Sequence, residues 1–591
     1  MIKLYLINFM IKLYCVYIIM KTKKIFRKIF RKVKNNTLKK QKDIHILIPK
    51  QVKNKNIGYY ISKILLENGI DTFFGVPSDL NMPFLDAVGP YLKFVACRNE
   101  LNASYVSEGF ARTKRFSLLV VGGMVGSFSA INGFSNGISE RNPILMIAGG
   151  NNFNDENEGK LSHHTLYKDN NDQMITYNCF VTLCGQENTF KIENNDSLNS
   201  QNISNLFTNI SNSLSNFNSV FLQIPVNSQK HNANLEDFTG IVSNKFNSEI
   251  QSYEQYTLYS IISKWSNELF SSDFEKIKSL KPVFLIGSEY NKYLKYIDVA
   301  DERFYKLMED INAAIFYTID AKGILDEYNK NVIGYYWGGV TEDDKLEYFR
   351  QSKGLFYIGV DLSDYTSAGY SALFKPDYTY NCRNISTKNL FNKKLANHYH
   401  LNETSRYISK LITKNITPTT DIFVETGSSW FYGSQVKLPK GARYNISIRY
   451  GSIGWCFPAS IGNSFANPDR KTLCITGDGA LQCVIQEIST AATYDINLTV
   501  VIINNNMYQI ENVLDKEEYN TLPEYNYEKL AKSICCKDVV KCNINSFEKA
   551  INHSMGKKGF SIIILKISEN DIDSLMQNWA ILVSNYTTHY I

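Results

Sequence analysis

Three consecutive α/β units, each a doubly wound parallel sheet, are the fold class that the sequence predicts, and three observations carry it. The chain has 591 residues, enough for about three to five domains at ~100–200 residues each. Short apolar runs ending in glycine or a polar turn alternate with segments of helical apolar spacing, the rhythm of strands joined by crossover helices. No glycine-rich dinucleotide fingerprint stands at any strand–helix turn. Hydrophobic residues make up 44% and charged residues 20%, which excludes a wholly disordered or fibrous chain.

Residues 1–53 form an extension. Its first twenty, MIKLYLINFMIKLYCVYIIM, are apolar but interrupted by Lys3 and Lys12, a poor match to a ~20-residue membrane span, and show no clear small-residue cleavage site. Three readings stay open: a targeting or anchoring leader, an interfacial basic amphipathic helix, or an over-long translation start with Met20 as the true one. The run Lys21–Lys42 holds 11 Lys/Arg and no acid, and it accounts for the net charge of +7; the rest carries 53 basic and 57 acidic residues. No nucleic-acid footprint therefore covers the fold, and membrane contact is expected only if the extension is retained.

The first unit spans residues 54–230. NIGYYISKILLENGI has helical spacing, DTFFGVPSDL reads as a short strand entering a turn, and SLLVVGG and PILMIAGG read as buried strands. A polar stretch from Asn194 to Asn218 leads to SVFLQIPVN, expected as an edge strand. Cys179 and Cys184 lie in an apolar run with the look of a strand, which would point them to opposite faces. The eleven cysteines are scattered with no second pair at zinc-finger spacing, so free thiols and a reducing, cytoplasmic compartment are expected. A polar linker over residues 231–255 precedes the central unit, 256–415, with KPVFLIGSE, AAIFYTID and GLFYIGVDL as its strands. The third unit, 416–591, contains DIFVETGSSW, KTLCITGDG, NLTVVIINN and FSIIILKIS.

The chemistry concentrates in this third unit. Gly477-Asp478-Gly479 follows the strand LCIT, and Asn504-Asn505 follows the strand TVVII, with Asn505 27 positions after Asp478. That spacing suits a strand end, a helix (ALQCVIQEISTAATY) and the next parallel strand, so both polar groups reach the carboxyl edge of one sheet, where ligands bind in such folds. An Asp carboxylate and an Asn carbonyl are hard oxygen donors suited to Mg²⁺. The glycines let a diphosphate approach the backbone and a helix N-terminus.

GDGALQCVIQEIS and VVIINNNMYQIE resemble the diphosphate-and-metal motif of the thiamine-diphosphate-dependent 2-oxo-acid decarboxylases, most closely the pyruvate and indolepyruvate decarboxylase branch. FFGVPSDLNMPFLDAV, CRNELNASYVSEGFAR, GKLSHHTL, ETGSSWF and YGSIGW match that branch in order from about residue 54. The resemblance implies a pyrimidine-binding, a central and a diphosphate-binding domain, with thiamine diphosphate and Mg²⁺ as cofactors. It further implies non-oxidative decarboxylation of a 2-oxo acid, pyruvate first and indolepyruvate or phenylpyruvate as the alternative, to an aldehyde. An acetolactate-synthase-like enzyme or a catalytically silent scaffold is less well matched, because the histidine pair and every catalytic group are present. A homodimer or homotetramer is implied, because pyrimidine and diphosphate motifs come from different subunits in this family.

By the same resemblance, Glu100 hydrogen-bonds the aminopyrimidine, and burial against an apolar wall would raise its pKa. Gly451 accepts from the cofactor's amino group and Ile453 holds the cofactor bent. Thr426, Ser428, Gly477, Asp478, Gly479, Ala480, Asn505 and Ile510 line the cofactor site, with Asp478, Asn505 and the Met507 carbonyl on the metal. Adjacent histidines are poorly placed to chelate one metal from a regular element, whereas in a loop both can face a cavity. His163 and His164, with Asp79 and Glu511, would relay the proton that releases the aldehyde. Trp430, Ile510 and Leu514 would wall the substrate pocket and favour pyruvate by size. Three positions depart from the pattern: Met507 stands at a usual Gly, Ala480 at a common Ser, and Gly122-Gly123 at bulkier residues.

Overall fold

In the computed structural model, all of the strand pairing that builds the three sheets is parallel. The structure describes residues 55–152, 154, 158, 160, 162–164, 166, 172–193, 198–232, 253–383, 385 and 404–588. The extension over residues 1–53 and most of the expected linker lie outside the described residues. The first sheet has β1 (Thr72–Gly75), β2 (Lys93–Ala96), β3 (Ser117–Gly122), β4 (Ile144–Gly150), β5 (Thr189–Lys191) and β6 (Val220–Pro225), in the order β2-β1-β3-β4-β6-β5. The central sheet has β7 (Val283–Ile286), β8 (Ala314–Thr318), β9 (Val332–Tyr336), β10 (Leu355–Ile358) and β11 (Tyr378–Tyr380), in the order β11-β10-β7-β8-β9. The third has β12 (Thr420–Val424), β13 (Arg443–Ile446), β14 (Lys471–Gly477), β15 (Leu498–Asn504), β16 (Asp538–Cys542) and β17 (Ser561–Lys566), in the order β13-β12-β14-β15-β17-β16.

Parallel strands covered by helices on both faces are continuous apolar runs, and every residue of β4 and β15 is buried. The first and third sheets have the same strand order, and a single hydrophobic core runs through both units. Two helices join them, Glu100–Ala111 and Cys456–Ala466, which cross at glycines. A Cβ on Gly109 would overlap the Ala459 carbonyl, and one on Gly462 would overlap the Val106 carbonyl. Only glycine lets two helix backbones approach so closely.

Three sequence expectations are corrected. SVFLQIPVN is no edge strand: β6 is fully buried between β4 and β5, and the edge is the three-residue β5, too short to read as a strand. The run holding Cys179 and Cys184 is a helix, Asp172–Cys184. Thr176, Tyr177 and Phe180 are its buried residues, at helical spacing, and Phe180 stacks on Phe221 with centroids 3.9 Å apart. ALQCVIQEISTAATY is not one helix either: a 3₁₀ turn, Ile485–Glu487, separates Asp478–Gln482 from Ile488–Tyr494. Glu487, at this break, accepts from Arg98 N (3.2 Å) and Asn102 Nδ2 (2.9 Å) and ties the third unit to the first. No helix among the described residues is long and apolar enough to cross a membrane.

Candidate active site

In the third sheet the direction of strand addition reverses between β12 and β14, which opens a crevice at their carboxyl ends. β14 delivers Asp478 into it. Buried as the first residue of a short helix, Asp478 accepts from Gly479 N at Oδ1 (2.9 Å), and from Asn506 N (2.6 Å) and Asn504 Nδ2 (3.1 Å) at Oδ2. Burial lifts its carboxyl above the ordinary range, with these donors opposing. β15 delivers the buried Asn505, whose Oδ1 accepts from Met507 N (3.3 Å). Met507 itself is not in the left-handed region; its neighbour Asn506 is, at φ 58°, and asparagine tolerates that conformation. A side chain in place of glycine at 507 is therefore unstrained.

Three buried polar atoms here have no hydrogen-bond partner among the described residues: Thr426 Oγ1, Ser429 Oγ and Asn505 Nδ2. Leaving each unpaired costs about 1–3 kcal/mol. Three glycines face open space beside them. A Cβ on Gly477 would meet nothing nearer than Ser429 Oγ at 4.0 Å, one on Gly427 nothing nearer than Ile510 Cγ2 at 3.6 Å, and one on Gly451 nothing nearer than Tyr365 Cε2 at 3.8 Å. Ser429, rather than the Ser428 named from sequence, supplies the unpaired hydroxyl. Ala480 is buried behind them.

Beyond this crevice runs the loop Tyr450–Trp455, with Gly451 at φ 68°, Gly454 at φ 82° and Ile453 exposed by 42%. Glu425, at the end of β12, is buried beneath it; burial pushes its carboxyl up to about 8 against backbone donors on Thr426, Cys456 and Gly454. In the first unit, Glu100 opens its helix directly after β2. Glu100 is half-buried in the single chain, and its Oε1 lies 3.3 Å from where a Gly126 Cβ would sit. Asp79, His163 and His164 converge on the same unit's surface. Their ligand-type atoms lie within 4.8 Å of one another, with His163 Nε2 to Asp79 Oδ2 at 3.1 Å and the two imidazoles 4.4 Å apart.

Both ends of the chain match one family. Residues 55–174 match the model of the thiamine pyrophosphate enzyme N-terminal TPP binding domain, and residues 425–565 that of the C-terminal TPP binding domain. The chain thus carries both the N- and the C-terminal TPP binding domains of thiamine pyrophosphate enzymes. Within that family its similarity is to decarboxylases. It is 28% identical to pyruvate decarboxylase 1 of Arabidopsis thaliana over 81% of each chain. It is 26% identical to pyruvate decarboxylase of Neurospora crassa over 83% of this chain and 88% of the relative. It is also 28% identical to a probable pyruvate decarboxylase of Schizosaccharomyces pombe over 81% and 86%.

The open glycine faces and unpaired donors fit the diphosphate that a thiamine pyrophosphate enzyme holds there. Other parts of the site are less closed in one chain than the sequence implies. Glu511, exposed on the helix Gln509–Leu514 of the third unit, makes no hydrogen bond or ion pair with Asp79, His163 or His164 among the described residues, so the four-group relay is not assembled. The expected substrate wall is also incomplete. Trp430 is fully buried, edge-on to Tyr365 (5.6 Å) and Trp579 (6.0 Å), but Ile510 is half-buried and Leu514 is 41% exposed.

Tyr365, which the sequence reading missed, comes from the central unit. Its backbone carbonyl accepts from Trp337 Nε1 (2.7 Å), which fixes the residue where its ring faces Gly451 and Trp430. Burial first, then the charges of Asp364 and Glu511, push its phenol up. Its position just past GLFYIGVDL, a strand end at a carboxyl edge, was the available signal.

Proposed function

We propose that this thiamine pyrophosphate enzyme converts pyruvate, or a 2-oxo acid of similar size, to the aldehyde and carbon dioxide. The observation that carries the reading is the crevice at β12 and β14, where Thr426 Oγ1, Ser429 Oγ and Asn505 Nδ2 are buried without partners beside Asp478 and three open glycines. Asp478, the Asn505 side chain and the Met507 carbonyl would hold a Mg²⁺ against the diphosphate, a hard-oxygen set suited to that ion. When bound, thiamine diphosphate supplies the electron sink for carbon–carbon cleavage. Glu100 would hold a proton at the aminopyrimidine, and Gly451 would accept from its amino group. His163, His164 and Asp79, exposed and in mutual contact, would move a proton at the substrate side.

Exposed apolar residues flank both halves of the site: Met82 and Val125 on the first unit, Ile453 and Leu514 on the third. A second copy covering them would bury Glu100, bring Glu511 to a histidine pair and close the substrate wall, so a homodimer is the working assembly. The open wall at Leu514 favours a second reading, in which an arylpyruvate is accepted. The deciding experiment supplies purified full-length protein with thiamine diphosphate, Mg²⁺ and a panel of 2-oxo acids. Acetaldehyde as the fastest-formed product supports the first reading, and a higher kcat/KM for phenylpyruvate or indolepyruvate replaces it with the second.

A further inference from the structure

Gly451 can present its carbonyl to a cofactor only if a loop containing two left-handed glycines is held still. One end of this loop is fixed within its own unit: Glu425 Oε2 accepts from Cys456 N (3.1 Å), while Oε1 accepts from Thr426 N (3.0 Å). The other end is held by the first unit. Asn132, on the helix Gly123–Ser139, accepts at Oδ1 from Tyr450 Oη (2.8 Å) and donates from Nδ2 to Tyr105 Oη (3.0 Å) and Ser452 Oγ (3.3 Å). Tyr105, on the Glu100 helix, lies 2.5 Å from that same Ser452 Oγ. One amide and one phenol thus grip the residues on either side of Gly451.

We infer that Asn132 and Tyr105 are positioning residues for Gly451, clamping Tyr450 and Ser452 so that the intervening carbonyl stays aimed at the cofactor's amino group. The inference rests on the cofactor reading above and adds the residues that set its geometry. The polarity of the clamp follows from its members. With its oxygen occupied by Tyr450, Asn132 can only donate to Tyr105. Tyr105 Oη and Ser452 Oγ then share one further hydrogen bond, in which either hydroxyl can donate. Burial pushes the Tyr105 phenol above its ordinary range, so the hydroxyl stays neutral. The helices that carry the clamp are the ones whose first turns bring Glu100 and Gly126 together, so the clamp stands on a rigid base.

The test uses full-length protein with thiamine diphosphate and Mg²⁺ and reads C2-hydrogen exchange of the bound cofactor by NMR. Tyr105→Phe and Ser452→Ala should each slow exchange about tenfold, the loss expected for one hydrogen bond in a positioning network. Cofactor affinity should change far less, and the double variant should be slowed by less than the product of the two single losses, because the two share the Tyr105–Ser452 link although each also loses its own bond to Asn132. Unchanged exchange in Tyr105→Phe, or losses that multiply in the double variant, would overturn the clamp.

A second measurement needs no cofactor: amide hydrogen exchange of residues 449–456 should quicken in Tyr105→Phe and in Asn132→Ala. If wild type binds no thiamine diphosphate, the cofactor reading fails while this readout still decides the clamp. Unaltered amide exchange there, in variants with wild-type thermal midpoints, removes it.

Discussion

The first and third sheets have one strand order but opposite crevices. β3 pairs Gly122 with Gly149, and β14 pairs Gly477 with Ile503. Counting on from those pairs, Gly123 stands where Asp478 stands, and Asn151 stands where Asn505 stands. The third crevice is open and polar. The first is plugged by its own β1 turn: a Cβ on Gly122 would overlap Ser78, and one on Gly149 would overlap the Leu80 carbonyl. Gln229 locks the plug by donating to Leu80 O (2.7 Å) and accepting from Phe84 N (2.9 Å). A shared topology offers both sheets a switch point, and a few turn residues decide which becomes a ligand site.

The sharpest way to break this contrast is Asp478→Ala. It should abolish Mg²⁺-dependent cofactor retention, exceeding the ~100-fold lost when a residue merely supporting a metal ligand is changed. Retention measured by titration calorimetry at wild-type affinity would make the third crevice as inert as the first. Next is Trp430→Ala, which removes a buried indole at a stability cost of roughly 3–5 kcal/mol. It should shift the kcat/KM ratio of arylpyruvate to pyruvate upward by about tenfold or more, and a ratio that stays put would take Trp430 off the substrate wall.

Glu100→Gln addresses the role left to the first unit once its crevice is plugged. The cofactor should still bind, with C2-hydrogen exchange slowed about 100-fold, the scale of one lost proton-transfer group. Smallest is a matched pair of glycines. Gly122→Ala should destabilise by about 1–3 kcal/mol through overpacking against Ser78, whereas Gly477→Ala should leave urea unfolding nearly unchanged and weaken only cofactor binding. Equal unfolding midpoints for the two variants would mean that the crevices do not differ as described.

The alternating rhythm made the three parallel sheets legible, because strands buried on both faces cannot hide their apolar runs. Asp478 and Asn505 were legible for a related reason: polar residues directly after such runs must emerge at the carboxyl edge. What failed depended on partners distant in sequence. β5 is three residues hydrogen-bonded along one edge to β6, and the Cys179 helix is defined by which of its residues meet Phe221. Tyr365 enters the site only because the central unit folds back on the third. The closed wall and the four-group relay were read from a family resemblance, and in the single chain Leu514 and Glu511 are exposed.

Where the Glu100 and Cys456 helices touch backbone to backbone at Gly109 and Gly462, the first and third units cease to be separable bodies. Either unit excised alone would expose an apolar helix face and part of a shared core to water. Calorimetry should therefore record their melting as one cooperative transition, and a fragment cut between them should not fold by itself. The boundaries that matter in the sequence are those of sheets, but the unit that gains or loses structure as a whole is the pair of sheets joined by that crossing.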